Sequence, residues 1–173
     1  MSGRSDGWVR SIDLGRIGYR EAHELQRGWL DRVIAARETA DGELGRAGVM
    51  LLLEHDPPVI TVSRRPGART HLLAGEARLR EEGVVVEETD RGGDITYHGP
   101  GQLVAYPIID LNRFGLNLRS YMRLLERVVI GVCARFGVEA HRDACATGVW
   151  VGGDTERSDE DGACAGSGGA KVC

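Results

Sequence analysis

The segment Arg91-Gly92-Gly93-Asp94-Ile95-Thr96-Tyr97-His98-Gly99-Pro100-Gly101-Gln102 constrains the chain most, because five of its twelve positions are glycine or proline. Backbone conformation is dictated at close intervals there, and no regular helix can run through it. Two short stretches, ITYH before Gly99-Pro100-Gly101 and QLVAYPIIDL around and after it, predict a pair of strands joined as a β-hairpin. Glycines also let backbone amides approach a ligand that a β-carbon would fend off. Arginine, threonine, tyrosine and histidine beside them supply polar contacts, and spacing alone leaves a structural hairpin and a binding site both open. The segment is neither a Walker loop nor a G-x-G-x-x-G turn.

The flanking sequence supplies short strands and two helical patterns. Residues 8–14 (WVRSIDL) read as a first strand. Apolar residues at Ala22, Leu25, Trp29, Leu30 and Val33 then give a helical period from Tyr19 to about Ala40. GVMLLLEH (48–55) is an apolar run bounded by turn signals, consistent with a buried strand, and VITVS (59–63) is another. SRRPGART reads as a loop, HLLAGEARLREEG as a short helix and VVVEET as a strand. Leu118, Tyr121, Met122, Leu125, Val128, Val129, Val132 and Phe136 form the clearest helical stripe, with Asn117 as its cap, and predict a core-packing helix. TGVWV is a further strand. Residues 152–170 are small, polar and acidic, a flexible loop, and Lys171-Val172-Cys173 reads as the opening of a strand. Strands and helices interleave without the regular alternation of a doubly wound sheet. The expectation is a single mixed-sheet α/β or α+β domain over residues 1–173.

Charge and cysteine usage narrow the function classes. A net charge of −4 offers no basic excess to neutralise phosphates, which disfavours a nucleic-acid binder. No apolar run is long enough to span a membrane, and MSGRSDGWVRS lacks the apolar core of a signal peptide, so cytoplasm is the expected compartment. Cys133, Cys145, Cys164 and Cys173 are scattered without a C-x-x-C pair, which favours neither disulfides nor zinc. His141 and Cys145, four apart, could share a helix face; an ordinary loop is the expectation there, and no metal. Lys171 is the only lysine among 22 basic residues. Lysine can do what the permanently protonated arginine cannot, though drift of one codon explains the count equally well.

The run TDRGGDITYHGPGQLVAYPIIDL resembles the signature of the lipoyl(octanoyl) transferase family almost without gaps, with LLLEHDPPVITVSRR upstream and GVWV downstream agreeing in order. The resemblance implies an α+β, biotin/lipoate protein ligase-like fold, a mixed sheet flanked by helices. It also implies transfer of an octanoyl group from acyl carrier protein to a lysine on lipoyl domains, those of 2-oxoacid dehydrogenases and the glycine cleavage H protein, without a cofactor. Carried over by position, Arg91, Gly92, Gly93, Asp94, Ile95, Thr96, Tyr97 and His98 match the family's acyl-substrate-binding segment, Asp94 at a position that varies among relatives. Lys171, after the GVW strand, looks like the lysine that lowers the pKa of the family's nucleophilic cysteine. A thiolate is the attacking species, and an adjacent cation favours it.

Two departures accompany the resemblance. The family's nucleophile sits in a Pro-Cys-Gly context, which none of the four cysteines has, so the expectation is a domain lacking its C-terminal strands and that cysteine. Relatives also connect GVWV to the lysine more briefly than residues 152–170 do. A degenerate acyl-binding module without catalysis is the alternative reading. An ATP-using ligase of the same superfold fits the signature less well. Arg64, Arg65 and Arg69 form the densest basic cluster, a candidate docking surface for an acidic carrier protein or simply a solvated loop.

Overall fold

The structure is a computed structural model, and it describes residues 8–37, 47–143, 147–153 and 169–172. The chain forms two compact units, Met1–Asp110 and Leu111–Cys173.

In the first unit, strands β1 (Trp8–Ile17), β2 (Ala47–His55) and β6 (Val104–Ile108) make one mixed sheet in the order β1-β2-β6. β1 runs parallel to β2 and β6 antiparallel to it, with Leu51 opposite Tyr106. β1 continues three residues past the expected Leu14 because the chain bulges rather than stops. Its register shifts between Asp13 and Arg16, where Gly15 adopts φ 59° and donates its N–H to Asp13 Oδ1 at 2.9 Å. In β2 the run of apolar residues conceals a period of two. Val49, Leu51 and Leu53 are buried, together with Ala22 of helix α1 (Tyr19–Ala35), and His55 falls in phase with them at 0% exposure.

The second sheet of this unit has the order β4-β3-β5, with β3 spanning Val59–Ser63, β4 Val85–Thr89 and β5 Ile95–His98. β3 pairs in parallel with β4 and antiparallel with β5. The short helix α2 (Glu76–Glu81) precedes β4, and the expected loop 63–70 ends in a 3-10 turn at Ala68–His71.

The expected hairpin does not form: β5 pairs with β3, whereas β6 pairs with β2 in the other sheet. Each strand follows its own best partner. Val104, Tyr106 and Ile108 pack on the Val49–Leu51–Leu53 core, while β5 is fastened to β3 by hydrogen bonds at Thr61 and Ser63. The Gly99–Gly101 turn therefore transfers the chain between sheets. Gln102 N–H closes on Gly99 O at 3.1 Å, and Gly101, at φ 86°, donates its N–H to Glu54 Oε2 at 2.9 Å.

The second unit contains helix α3 (Leu118–Arg135) and an antiparallel sheet in the order β7-β8-β9, formed by Ala140–Arg142, Val149–Val151 and Ala170–Lys171. Asn117 caps α3 as expected, and more fully: its Oδ1 accepts from Ser120 N at 2.9 Å while Ser120 Oγ accepts from Asn117 N at 3.0 Å, a reciprocal capping box. The expected core stripe is corrected. Leu118, Val128, Val132 and Phe136 are 50–80% exposed, Tyr121, Met122, Leu125 and Val129 are half-buried, and the fully buried residue of the helix is Glu126. That carboxylate is held by Arg123 Nη1 of the same helix at 2.8 Å, Arg142 Nε at 3.1 Å and the Gly148 N–H at 3.2 Å, so polar contacts to β7 and the residue before β8 tie the helix down beside the half-buried part of its stripe. Cys133 on this helix is half-buried. His141 lies on a strand and so shares no helix face with Cys145; Cys145, Cys164 and Cys173 are outside the described residues.

Candidate active site

Arg91 precedes β5 and folds back over β3. Its Nε and Nη2 donate to the buried Thr61 Oγ1 at 3.3 and 2.7 Å, Nη2 also reaches Thr61 O at 3.4 Å, and Nη1 donates to Gly92 O at 2.8 Å. Thr61 Oγ1 in turn donates to Thr96 O at 3.3 Å, which ties the arginine to the first paired residues of β5. Two residues further along β3, Ser63 Oγ donates to Gly93 O at 2.6 Å and Ser63 N–H to Asp94 O at 2.8 Å. Gly93 adopts φ 91°, a conformation that glycine alone takes without strain. The carboxylate of Asp94 meets Arg65 Nη1 and His71 Nδ1, each at 3.3 Å. Thus one of the three arginines of the basic loop is engaged with the Arg91–His98 segment itself.

At the other end of β5, Tyr97 is half-exposed and lays its ring on Gly99, where a β-carbon would lie 2.5 Å from the hydroxyl. His98 points to a cluster of aromatic groups from three other elements. Its ring centroid is 5.7 Å from that of His55, which lies 5.5 Å from Tyr19 and 6.1 Å from Tyr106. His55 Nδ1 sits 3.3 Å from Ile17 O, and its Nε2 sits 3.0 Å from the Tyr106 hydroxyl. A carbonyl only accepts, so Nδ1 carries the proton and Nε2 accepts from Tyr106. Burial holds the His55 imidazole below the usual histidine range, against the opposing pull of Ile17 O. Burial, then the neighbouring His55 and Arg91, do the same for His98. Burial and Tyr19 push the Tyr106 hydroxyl up to about 12, despite a Gln26 hydrogen bond and the charge of Arg91. His55, His98 and Tyr106 are therefore neutral near pH 7, and Arg91 is the cation beside them.

In the second unit Lys171 is exposed on β9, directly opposite Trp150 of β8, with Nζ 5.8 Å from the centre of the indole ring.

Residues 28–173 match the family model described as the lipoyl protein ligase A/B catalytic domain. The chain belongs to this family. An octanoyltransferase of Bacteroides fragilis is 46% identical over 148 residues, which cover 86% of this chain and 65% of that protein. One from Acidobacterium capsulatum is 44% identical over 154 residues, covering 84% and 58%. The chain thus spans less than two thirds of the length of these relatives. A solved structure described as a lipoate protein ligase from T. acidophilum with bound lipoic acid superposes with a TM-score of 0.49 at 15% identity, over 78% of this chain and 51% of that one, a likeness too slight to carry weight. Membership of the lipoyl ligase family agrees with the mixed sheets flanked by helices expected from the signature.

For this lipoyl ligase-family chain, Arg91 to His98 are contiguous at and before β5, which pairs with β3 in the first unit, while Lys171 belongs to the second unit. Thr61, Ser63, His55, Tyr106 and Tyr19 were not singled out from the sequence. Period-two counting from Val49 would have placed His55 on the core face of β2, where a histidine needs partners. Nothing local marks Tyr106 or Thr61, since their roles arise from strand pairing. No helix among the described residues is long and apolar enough to cross a membrane.

Proposed function

We propose that the chain carries the acyl-substrate side of an octanoyltransferase, moving an octanoyl group from acyl carrier protein to a lysine of lipoyl domains in lipoate biosynthesis and protein lipoylation. The observation that carries this reading is the 46% identity to an octanoyltransferase over 148 residues. The geometry supports it. Arg91 is a cation anchored on a buried threonine, Gly92 and Gly93 are exposed, and the His98 ring has no hydrogen-bond partner among the described residues, which leaves both ring nitrogens for a ligand. In the transfer, a cysteine thiolate attacks the thioester carbonyl and expels the carrier-protein thiol. The acceptor lysine's amine then attacks the enzyme thioester, forming an amide and returning the thiol. Lys171 supplies the ammonium that keeps the cysteine ionised. Its partners are octanoyl-acyl carrier protein, met by Arg64, Arg65 and Arg69, and the lipoyl domains of 2-oxoacid dehydrogenases and the glycine cleavage H protein, in the cytoplasm.

Octanoyl-pantetheine titrated into the isotope-labelled chain tests the reading. Shifts should concentrate at Arg91–His98, and Arg91→Ala should weaken binding by about tenfold, the loss of one charge-assisted contact. The 173 residues alone should transfer no octanoyl group, because none of their cysteines has the Pro-Cys-Gly setting. Binding of octanoate with ATP, and none of octanoyl-pantetheine, would favour a ligase; no acyl binding of either kind would sink both.

A further inference from the structure

The second unit fixes the surroundings of Lys171 through backbone register. β9 has only two residues, and three contacts seat it. Gly169 packs on the end of β8, where a β-carbon would lie 2.6 Å from Gly152 O and 2.9 Å from Val151 O. Ala170 pairs with Val151 and Lys171 with Trp150, and Val172 donates its N–H to Val149 O at 2.7 Å. Only glycine fits at position 169, so the chain enters β9 in one register and Lys171 arrives opposite Trp150.

On the other side of β8, His141 is the direct partner of Trp150. His141, Trp150 and Lys171 therefore stand in one row across three strands, on one face of the sheet. Trp150 Nε1 and His141 Nε2 are buried and have no hydrogen-bond partner within the described residues. Among the described residues no hydrogen bond tethers the indole by its edge, and strand register sets the direction of its face. The Lys171 ammonium lies over that face, 5.8 Å from its centre. An ammonium within about 6 Å of an indole centre is attracted by the ring quadrupole, and tryptophan provides the strongest such face.

We propose that Trp150 is a positioning residue for Lys171: the indole face holds the ammonium at one place on the sheet, where an exposed lysine on a two-residue strand would otherwise sample many rotamers. The purpose of this placement rests on the reading of Lys171 as the charge that supports acyl transfer; the geometry does not.

Because Lys171 is the only lysine in the chain, lysine-selective isotope labelling gives a single side-chain signal. In the intact chain its Cε protons should be shifted upfield by the indole ring current relative to free lysine. Trp150→Leu should remove the shift, and Trp150→Phe should restore part of it. Hydrogen-exchange protection of the Val172 amide, read in the same samples, reports whether β9 remains paired. Loss of the shift with Val172 still protected in Trp150→Leu supports the proposal. A wild-type signal at the free-lysine position overturns it, as does a shift that survives Trp150→Leu. If Trp150→Leu also loses Val172 protection, Trp150→Phe decides: protection with a partial shift supports the proposal, and protection without one overturns it. Acyl ligands play no part in these measurements, so failure to bind octanoyl-pantetheine would overturn the transferase reading and leave this result standing.

Discussion

Replacing Tyr106 by phenylalanine removes one oxygen from the centre of the aromatic cluster, and the structure allows its cost to be worked out. His55 is fully buried, and its Nδ1 proton is committed to Ile17 O at 3.3 Å. Its Nε2 can then only accept, and the Tyr106 hydroxyl at 3.0 Å is the group that donates to it. The phenylalanine ring still fills the space against Leu51 and its neighbours, so no cavity term arises. What is lost is the partner of a buried acceptor, which costs about 1–3 kcal/mol, together with the Gln26 contact of the same hydroxyl. Taking about 2 kcal/mol, a chain of this length should melt about 4–8 °C lower. Urea unfolding followed by circular dichroism gives the energy, and the ring ¹⁵N shifts of His55 report the tautomer in wild type and variant. A variant as stable as wild type, or a wild-type His55 protonated at Nε2 rather than Nδ1, would refute the reasoning.

Further expectations follow from other parts of the molecule. Gly48→Ala should destabilise by roughly 3 kcal/mol in urea unfolding, because its β-carbon would lie 2.6 Å from the Ile108 carbonyl and 2.1 Å from Ile109 Cγ2. Gly99→Ala, whose three nearest contacts are all atoms of the half-exposed Tyr97 ring, should cost less than about 1 kcal/mol because that ring can turn away. Glu126→Gln leaves two arginines without their shared carboxylate and should cost roughly 3 kcal/mol at pH 7. Burial alone would raise the Glu126 pKa, but Arg123, Gly148 and Arg142 together bring it below its ordinary value. Its stabilisation is therefore full above about pH 4.5 and is lost as pH falls through the lowered value, a dependence the glutamine variant should lack. His55 and His98 are both held below the usual histidine range, so their contribution is full above about pH 6.5 and declines as pH falls towards their folded values. A thermal-melt series from pH 7.5 to 5 should show that decline, weaker in His98→Gln. Charge reversal at Arg64 and Arg65 should slow association with octanoyl-acyl carrier protein at low salt, read by stopped-flow; an unchanged rate would place docking elsewhere.

Much of the chain was legible without coordinates because local physics decides it. The apolar runs at 48–55 and 59–63, the Asn117 cap and the helical period after Tyr19 each depend on residues within a turn or a strand of one another, and the structure places β2, β3, α3 and α1 there. The run TDRGGDITYHGPGQLVAYPIIDL (89–111) also pointed to the family, since it is a contiguous string. Strand pairing was not legible. A turn such as Gly99-Pro100-Gly101 is compatible with a hairpin or with a passage between sheets, and the choice was made by Val49, Leu51 and Leu53 on one side and Thr61 and Ser63 on the other, up to about fifty residues away in sequence. Pairing also brought His55, Tyr106 and His98 together and laid Lys171 over Trp150. The burial of Glu126 in place of the apolar stripe has the same origin. Hydropathy ranks residues by their own transfer cost, whereas this carboxylate is buried because the helix supplies one guanidinium group, Arg123 three residues before it, and the tertiary fold delivers a second, Arg142, and the Gly148 N–H.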